Sequence, residues 1–192
     1  METTNTLLSD GEKSLLSGMV GKTLNSLTCD TFDVKPIAHM SVWLRVADGV
    51  FEIRNELEEI RYLGEDEELG VVSVRHSDAS QVHSHLVGHK LQTIELNRPI
   101  VDIVLYEDTH VCSENGNDAY EYSFTSAIIF VLEGTELAVE KDIPYDENMT
   151  IYRGPGARKN VYAPEEMLEE SESPKYAHRA VRAIVSLKEW AS

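Results

Sequence analysis

Cysteine, long apolar runs and targeting signals are scarce or absent in this sequence of 192 residues. Its two cysteines, Cys29 and Cys112, are too few for a disulfide framework, so we expect reduced thiols that are buried or incidental. The longest apolar run, Ala127 to Leu132, is about a third of the roughly 20 residues that a membrane-spanning helix needs. The opening METTNTLLSDGEK lacks the basic start and the apolar core of a signal peptide. Together these absences predict a cytoplasmic protein without a membrane partner.

Basic residues are also few, since 17 Lys+Arg face 34 Asp+Glu and the formal net charge is −17. Binding to a nucleic-acid backbone depends on clustered Lys and Arg that release counterions, so no nucleic-acid partner is expected. A hydrophobic content of 42% is sufficient for a buried core in a chain of this length. The sequence therefore predicts a folded, acidic, globular protein.

Three pairs of similar segments occur in the same order along the chain and indicate an internal duplication. The first pair shares Val-Gly followed by Leu, the second reads as strand, acidic-Gly turn and strand, and the third is a β-branched run. The matched segments are 19–27 with 86–94, 42–53 with 127–139, and 71–76 with 184–189. Short apolar strand patterns also resemble one another by chance, and that alternative stays open.

The predicted fold is mainly β, of the α+β class. It has two similar antiparallel β halves that pack with pseudo-two-fold symmetry, and few short helices. We divide the chain into an N-terminal segment with a short helix (1–17), a first β repeat (18–77), a linker (78–85) and a second β repeat with loop insertions (86–192). The expected insertions are residues 112–118, 154–159 and 164–173, which are rich in turn-forming or acidic residues.

Local patterns place the elements within this plan. Ser9 or Asp10 can cap a helix that runs to Leu16, with Glu12 in its first turn. Strand patterns occur at 23–32, 41–47, 50–55, 69–76, 90–96, 100–107, 120–132, 136–142 and 149–153. Segments 78–85 and 164–170 are each consistent with a helical turn. Residues 176–190 are interpreted as a strand because their apolar residues alternate with period two.

The densest group of potential metal ligands lies at the junction of the two halves. On a strand His83 and His85 would point to the same side, and His89 or Glu95 could complete a site for a divalent metal. This His-x-His resembles that of cupins, which are small β-barrel proteins, and the resemblance implies a metal-dependent enzyme. The glutamate that cupins place three or four residues later is missing, because His89 and Lys90 occupy those positions. A polar connection whose histidines titrate without function is the alternative.

Other catalytic patterns are weaker. The sequence has no Gly-x-Ser-x-Gly motif, and neither cysteine has a neighbouring His-plus-acid pattern, although His110 is close to Cys112. The glycine-rich segment 154–159 contains Arg and Lys but lacks the Walker spacing. It is expected to be a turn that could dock an acidic partner or an anion.

Acidic runs suggest a surface for a basic protein partner, because a strongly negative protein is steered toward positive surfaces. Solubility alone also explains an acidic composition. The candidate partner-binding residues form two expected loops and are Glu65, Asp66, Glu67, Glu68, Glu165, Glu166, Glu169 and Glu170.

Residues 127–154, AIIFVLEGTELAVEKDIPYDENMTIYRG, combine an apolar strand, an acidic-Gly turn, Glu-Lys-Asp and a final strand that ends in Gly. This stretch resembles the central part of uncharacterised bacterial β-rich domains, some of which are suspected immunity proteins of toxin systems. The resemblance implies an immunity-like module, and the acidic composition adds the expectation that it is non-enzymatic and binds a basic protein. The alternatives are the cupin-like metal enzyme with His83, His85 and His89, and an assembly component whose halves mediate oligomerisation.

Overall fold

The computed structural model describes residues 1–30, 37–62, 64–168 and 175–190. In these ranges the chain is mainly β, as predicted, with one α-helix, α1 (Asp10–Ser17). The strands are β1 (Glu2–Thr6), β2 (Thr23–Cys29), β3 (Ile37–His39), β4 (Ser41–Val46), β5 (Gly49–Tyr62), β6 (Glu65–Ser77), β7 (Gln92–Glu114), β8 (Asn117–Leu132), β9 (Thr135–Lys141), β10 (Asn148–Gly154) and β11 (Tyr176–Ser186). Short 3₁₀ turns are formed by Ala79–Gln81, Ala157–Asn160 and Pro164–Met167. No helix in the described ranges is long and apolar enough to cross a membrane.

All eleven strands belong to one open sheet with the order β3-β10-β9-β8-β7-β2-β4-β5-β6. Neighbouring strands are antiparallel except β1, which runs parallel to β8. The first part of β7, residues 92–99, pairs with β2, and residues 100–114 pair with β8. Because β2 belongs to the first predicted half and β8 to the second, β7 joins the two predicted halves edge to edge. β11 also pairs with β7.

The hydrophobic core is shared by the two halves. Buried side chains of β4 and β5, such as Leu44 and Phe51, belong to the same cluster as Phe130 of β8, Val139 of β9 and Ile151 of β10. The sheet therefore folds back on itself, and each part covers the apolar face of the other, as small sheets require.

The duplication stays a prediction. Hairpins β4–β5 and β8–β9 are both present. The second turns at Glu133-Gly134 as expected, whereas the first turns at Ala47-Asp48 and Gly49 is the first residue of β5. The third pair of matched segments occupies different positions, because β6 pairs with β5 whereas β11 pairs with β7.

Helix α1 begins at the position that the sequence predicts, with Ser9 as its N-cap. The Ser9 side chain accepts a hydrogen bond from the Glu12 backbone, while the Glu12 carboxylate accepts one from Ser9 N at 2.8 Å, which forms a capping box. The second carboxylate oxygen of Glu12 accepts a hydrogen bond from Val74 N of β6 at 2.8 Å. Glu12 therefore caps the helix and also covers one backbone group at the edge of the sheet.

Two predicted interruptions of the sheet are wrong. Residues 90–96 and 100–107 were expected to form separate strands, but β7 runs through Pro99 because a register shift beside Asn97 (φ 49°) accommodates the irregular backbone. The expected loop at 112–118 is a tight turn at Asn115-Gly116, where both residues have positive φ, as a type I′ hairpin turn needs.

Candidate functional site

The end of the β5–β6 hairpin presents an acidic surface. Residues 56–68 contain seven acidic residues and a single basic one, Arg61, and we call this segment the acidic hairpin. Glu67 is partly buried, whereas the remaining acidic side chains are exposed, namely Glu56, Glu58, Glu59, Glu65, Asp66 and Glu68. Glu65 to Glu68 were predicted to be a loop. This prediction is wrong, because these residues are the start of strand β6 and pair with β5.

Like charges face each other directly on this hairpin. Glu59 of β5 is the cross-strand partner of Glu68 of β6, an arrangement that destabilises an antiparallel pair. Arg61 is opposite Asp66 and donates hydrogen bonds to Asp66 and Glu2, both at 3.2 Å. Arg54 also donates to Glu56 at 2.7 Å. Two arginines face seven acidic residues, so most of the negative charge of the hairpin remains uncompensated.

A small apolar cluster supports the acidic hairpin from beneath. We call it the hairpin cluster, and its buried members are Ile60, Tyr62, Leu69, Tyr122, Phe124 and Met167. Met167 ends the 3₁₀ turn Pro164–Met167, in which Glu165 and Glu166 are exposed. The structure therefore attaches both predicted acidic segments to one apolar cluster, while Glu169 and Glu170 lie outside the described residues.

The base of the hairpin is clamped at Gly70. Its N–H donates to the carbonyl of Pro144 at 2.7 Å, and its carbonyl accepts a hydrogen bond from Lys141 Nζ at 2.5 Å. A Cβ at this position would lie 2.6 Å from both Asn55 Oδ1 and Asp146 O, so a larger residue would force the loop away. This close approach gives the hairpin a fixed base.

Lys141 forms part of this clamp and is buried. Its Nζ lies 4.9 Å from the centre of the Phe124 ring, a distance typical of a cation–π contact. Burial disfavours the ammonium form and lowers the pKa of Lys141 to about 7. The sequence signal for its orientation is the period-two alternation that places Lys141 on the same side of β9 as the core residues Leu137 and Val139.

A second polar group lies on the outer face of β4 and β5, beneath the connection from β6 to β7. His85 stacks on Trp43 with ring centroids 5.9 Å apart, and its Nε2 is 3.1 Å from Ser41 Oγ. Ser41 Oγ donates to Glu52 at 2.6 Å, and Arg75 also donates to Glu52 at 2.8 Å. Desolvation, followed by the positive charge of Arg54, lowers the pKa of His85. This connection is therefore partly packed on the sheet, which the sequence did not reveal.

The three predicted metal ligands do not form a metal-binding group in the described residues. The rings of His83 and His85 are 5.2 Å apart, whereas His89 is exposed. Within the described ranges, which include all three histidines, there is no group of three or more His, Cys, Asp or Glu side chains that could hold a metal ion. The structure thus gives no support to the cupin-like alternative.

The remaining sequence candidates are occupied by contacts within the fold. Cys112 is buried, its Sγ lies 4.0 Å from His178 Nε2, and burial raises the pKa of its thiol. A raised pKa disfavours the thiolate that a nucleophile needs. In the glycine-rich segment Arg158 donates to Glu136 at 2.7 Å. This arginine is therefore engaged within the chain.

Comparison of the chain with protein-family models, curated proteins and solved structures gave no match. The surface chemistry of the chain is therefore what indicates its function.

Proposed function

We propose that this chain is a non-enzymatic protein-binding module, in which the acidic hairpin binds a basic surface of a partner protein and blocks it, as immunity proteins do. The observation that carries the proposal is the concentration of seven acidic residues and one arginine on a paired hairpin with a fixed base. Such a surface attracts a positively charged partner and accelerates association at low salt.

The energetic cost of the hairpin supports a binding role. Direct opposition of Glu59 and Glu68 weakens the strand pair, and a residue chosen for stability alone would avoid this repulsion. A basic partner that inserts Lys or Arg between the two carboxylates would relieve the repulsion. The same feature that destabilises the free chain would then strengthen the complex.

Preorganisation favours binding as well. The clamp at Gly70 and the hairpin cluster hold the strands before any partner arrives, which reduces the ordering cost of association. Glu165 and Glu166 are exposed on the 3₁₀ turn whose Met167 packs in the same hairpin cluster. Both acidic segments therefore stand on one apolar cluster.

A double variant that removes two negative charges from the acidic hairpin tests the proposal. Glu59→Gln with Glu68→Gln removes two charges from the hairpin, whereas Glu95→Gln with Glu133→Gln removes two charges from exposed positions elsewhere. Both variants have the same net charge, so nonspecific attraction falls equally in each. Binding would be measured by calorimetry against a panel of small basic proteins, with a polylysine peptide as the nonspecific reference.

We expect at least one panel member to bind in a one-to-one complex more tightly than polylysine. The hairpin variant should weaken that complex by about tenfold, which corresponds to roughly 1.4 kcal/mol, and the control variant should change it far less. Equal weakening by the two variants, or no binding stronger than that of polylysine, would contradict the proposal.

A further inference from the structure

Strand β11 has a long open edge. In the described part of the chain it pairs along its full length with β7 and with no other strand. Large apolar side chains on it remain exposed, with exposed fractions of 59% for Val181 and 66% for Ile184. A strand with one unpaired side presents a row of backbone donors and acceptors to any extended segment that approaches.

Two other edge strands of this sheet are short, and the edge of β6 has two of its backbone groups engaged. Strand β3 has three residues and β1 has five. On β6 the backbone N–H of Val74 donates to Glu12, and that of Gly70 donates to Pro144. Among the described strands, β11 combines an eleven-residue length, exposed apolar side chains and strand pairing on one side alone, and the 3₁₀ turn Pro164–Met167 is its other neighbour. Folded proteins usually protect such an edge or use it for assembly.

The charge of this segment identifies the kind of partner. Residues 175–188 contain four basic and no acidic residues, although the whole chain has a net charge of −17. The two arginines of β11 are neutralised within the fold, since Arg179 pairs with Asp118 and Arg182 with Asp108. Lys175 also pairs with Glu114, so the surroundings of β11 carry little net charge, and two copies of this acidic chain would repel each other less along β11 than along the acidic hairpin.

We propose that β11 pairs antiparallel with β11 of a second copy and extends the sheet across a two-fold axis. A register centred on Val181 is the one that overlaps all eleven residues, and it allows about ten backbone hydrogen bonds, a number typical of a stable interface. In this register Val181 faces Val181 of the second copy. Each arginine faces an alanine, because Arg179 is opposite Ala183 and Arg182 is opposite Ala180.

Sedimentation equilibrium of the full chain tests this interface. The wild type should reach twice the monomer mass of 21.6 kDa at micromolar to millimolar concentrations. Val181→Lys places two ammonium groups opposite each other and should weaken the dimer at least tenfold. The matched control is Ile143→Lys, since Ile143 is 50% exposed and lies outside the strands. This control should dimerise as the wild type does.

A crosslink tests the register. Val181→Cys should form a disulfide between two copies on mild oxidation, whereas Ile143→Cys should not, and the native Cys29 and Cys112 are buried and do not compete. A chain that remains monomeric at millimolar concentration, or a dimer that Val181→Lys leaves unchanged, would overturn the proposal. A dimer that Val181→Lys weakens but that Val181→Cys does not crosslink would overturn the centred register.

Discussion

At the scale of single residues, two arginine–aspartate pairs have nearly the same geometry in different surroundings. Arg182 donates two hydrogen bonds of 2.7 Å to Asp108, and Arg179 donates two of 2.7 Å to Asp118. Asp108 is fully buried, and Arg182 also lies over the Tyr106 ring, whereas the pair on Asp118 is exposed. The two ion pairs therefore have the same hydrogen bonds but differ in burial, so a comparison between them isolates the effect of burial.

Replacing Asp108 should destabilise the chain far more than replacing Asp118. Asp108→Asn leaves the Arg182 guanidinium partly desolvated without a carboxylate, and such losses cost about 3 kcal/mol of unfolding free energy. Asp118→Asn removes an exposed pair, whose contribution is small because water and salt screen it. Urea unfolding of both variants gives the two differences. Similar losses in the two variants would show that burial does not determine the strength of these pairs.

His110 makes the stability of the chain depend on pH. It is buried, with its ring 4.9 Å from the Phe124 ring, and desolvation lowers its pKa to about 4. The unfolded chain, with an ordinary pKa near 6.5, binds the proton more readily. The contribution of neutral His110 to stability is therefore complete above about pH 6.5 and is lost as the pH falls toward 4.

His110→Phe should remove this part of the pH dependence. The variant keeps an aromatic ring beside Phe124 but has no group to protonate. Between pH 6.5 and 4 the wild type should lose on the order of 3 kcal/mol more unfolding free energy than the variant. Urea midpoints at intervals across this range measure the difference. Parallel curves for the two proteins would assign the acid sensitivity to other groups.

At the scale of elements, the acidic hairpin should be more stable with a lysine in it. Glu68→Lys converts the repulsive pair with Glu59 into an attractive one, and cross-strand pairs of opposite charge contribute roughly 0.2–1 kcal/mol. Thermal unfolding would be compared with that of Glu95→Lys, which makes the same charge change opposite Ser26. The hairpin variant should gain more stability and should bind a basic partner less well. An equal gain in both variants would mean that only net charge matters.

Sequence reasoning located elements where one local signal was decisive. Two hairpins were predicted from the acidic-Gly pairs Asp48-Gly49 and Glu133-Gly134, and both hairpins are present. The start of α1 was predicted from Ser9 and Glu12. Other elements depended on tertiary pairing. β1 is polar throughout, and it is a strand because it pairs with β8. Proline usually interrupts a strand, so the continuity of β7 through Pro99 depends on a register shift that the sequence does not indicate.

The candidate site was predictable in composition but not in arrangement. The acidic runs are visible in the sequence, yet their attachment to one cluster depends on Met167, which is distant in the chain from Ile60 and Leu69. The packing of His85 on Trp43 depends on the path of the connection between β6 and β7 across the sheet. Such long-range contacts leave no local pattern.

At the scale of the whole molecule, the net charge of −17 gives the two proposed associations opposite dependences on salt. Salt screens the attraction between the acidic hairpin and a basic partner, so that complex should weaken as ionic strength rises from about 50 to 500 mM. Self-association through β11 brings two negative chains together, and screening should strengthen it over the same range. Calorimetry of the first and sedimentation of the second give the two slopes. If both associations weakened with salt, self-association would itself depend on attraction between opposite charges, and the acidic hairpin of one copy rather than its β11 would be the partner of β11 in the next.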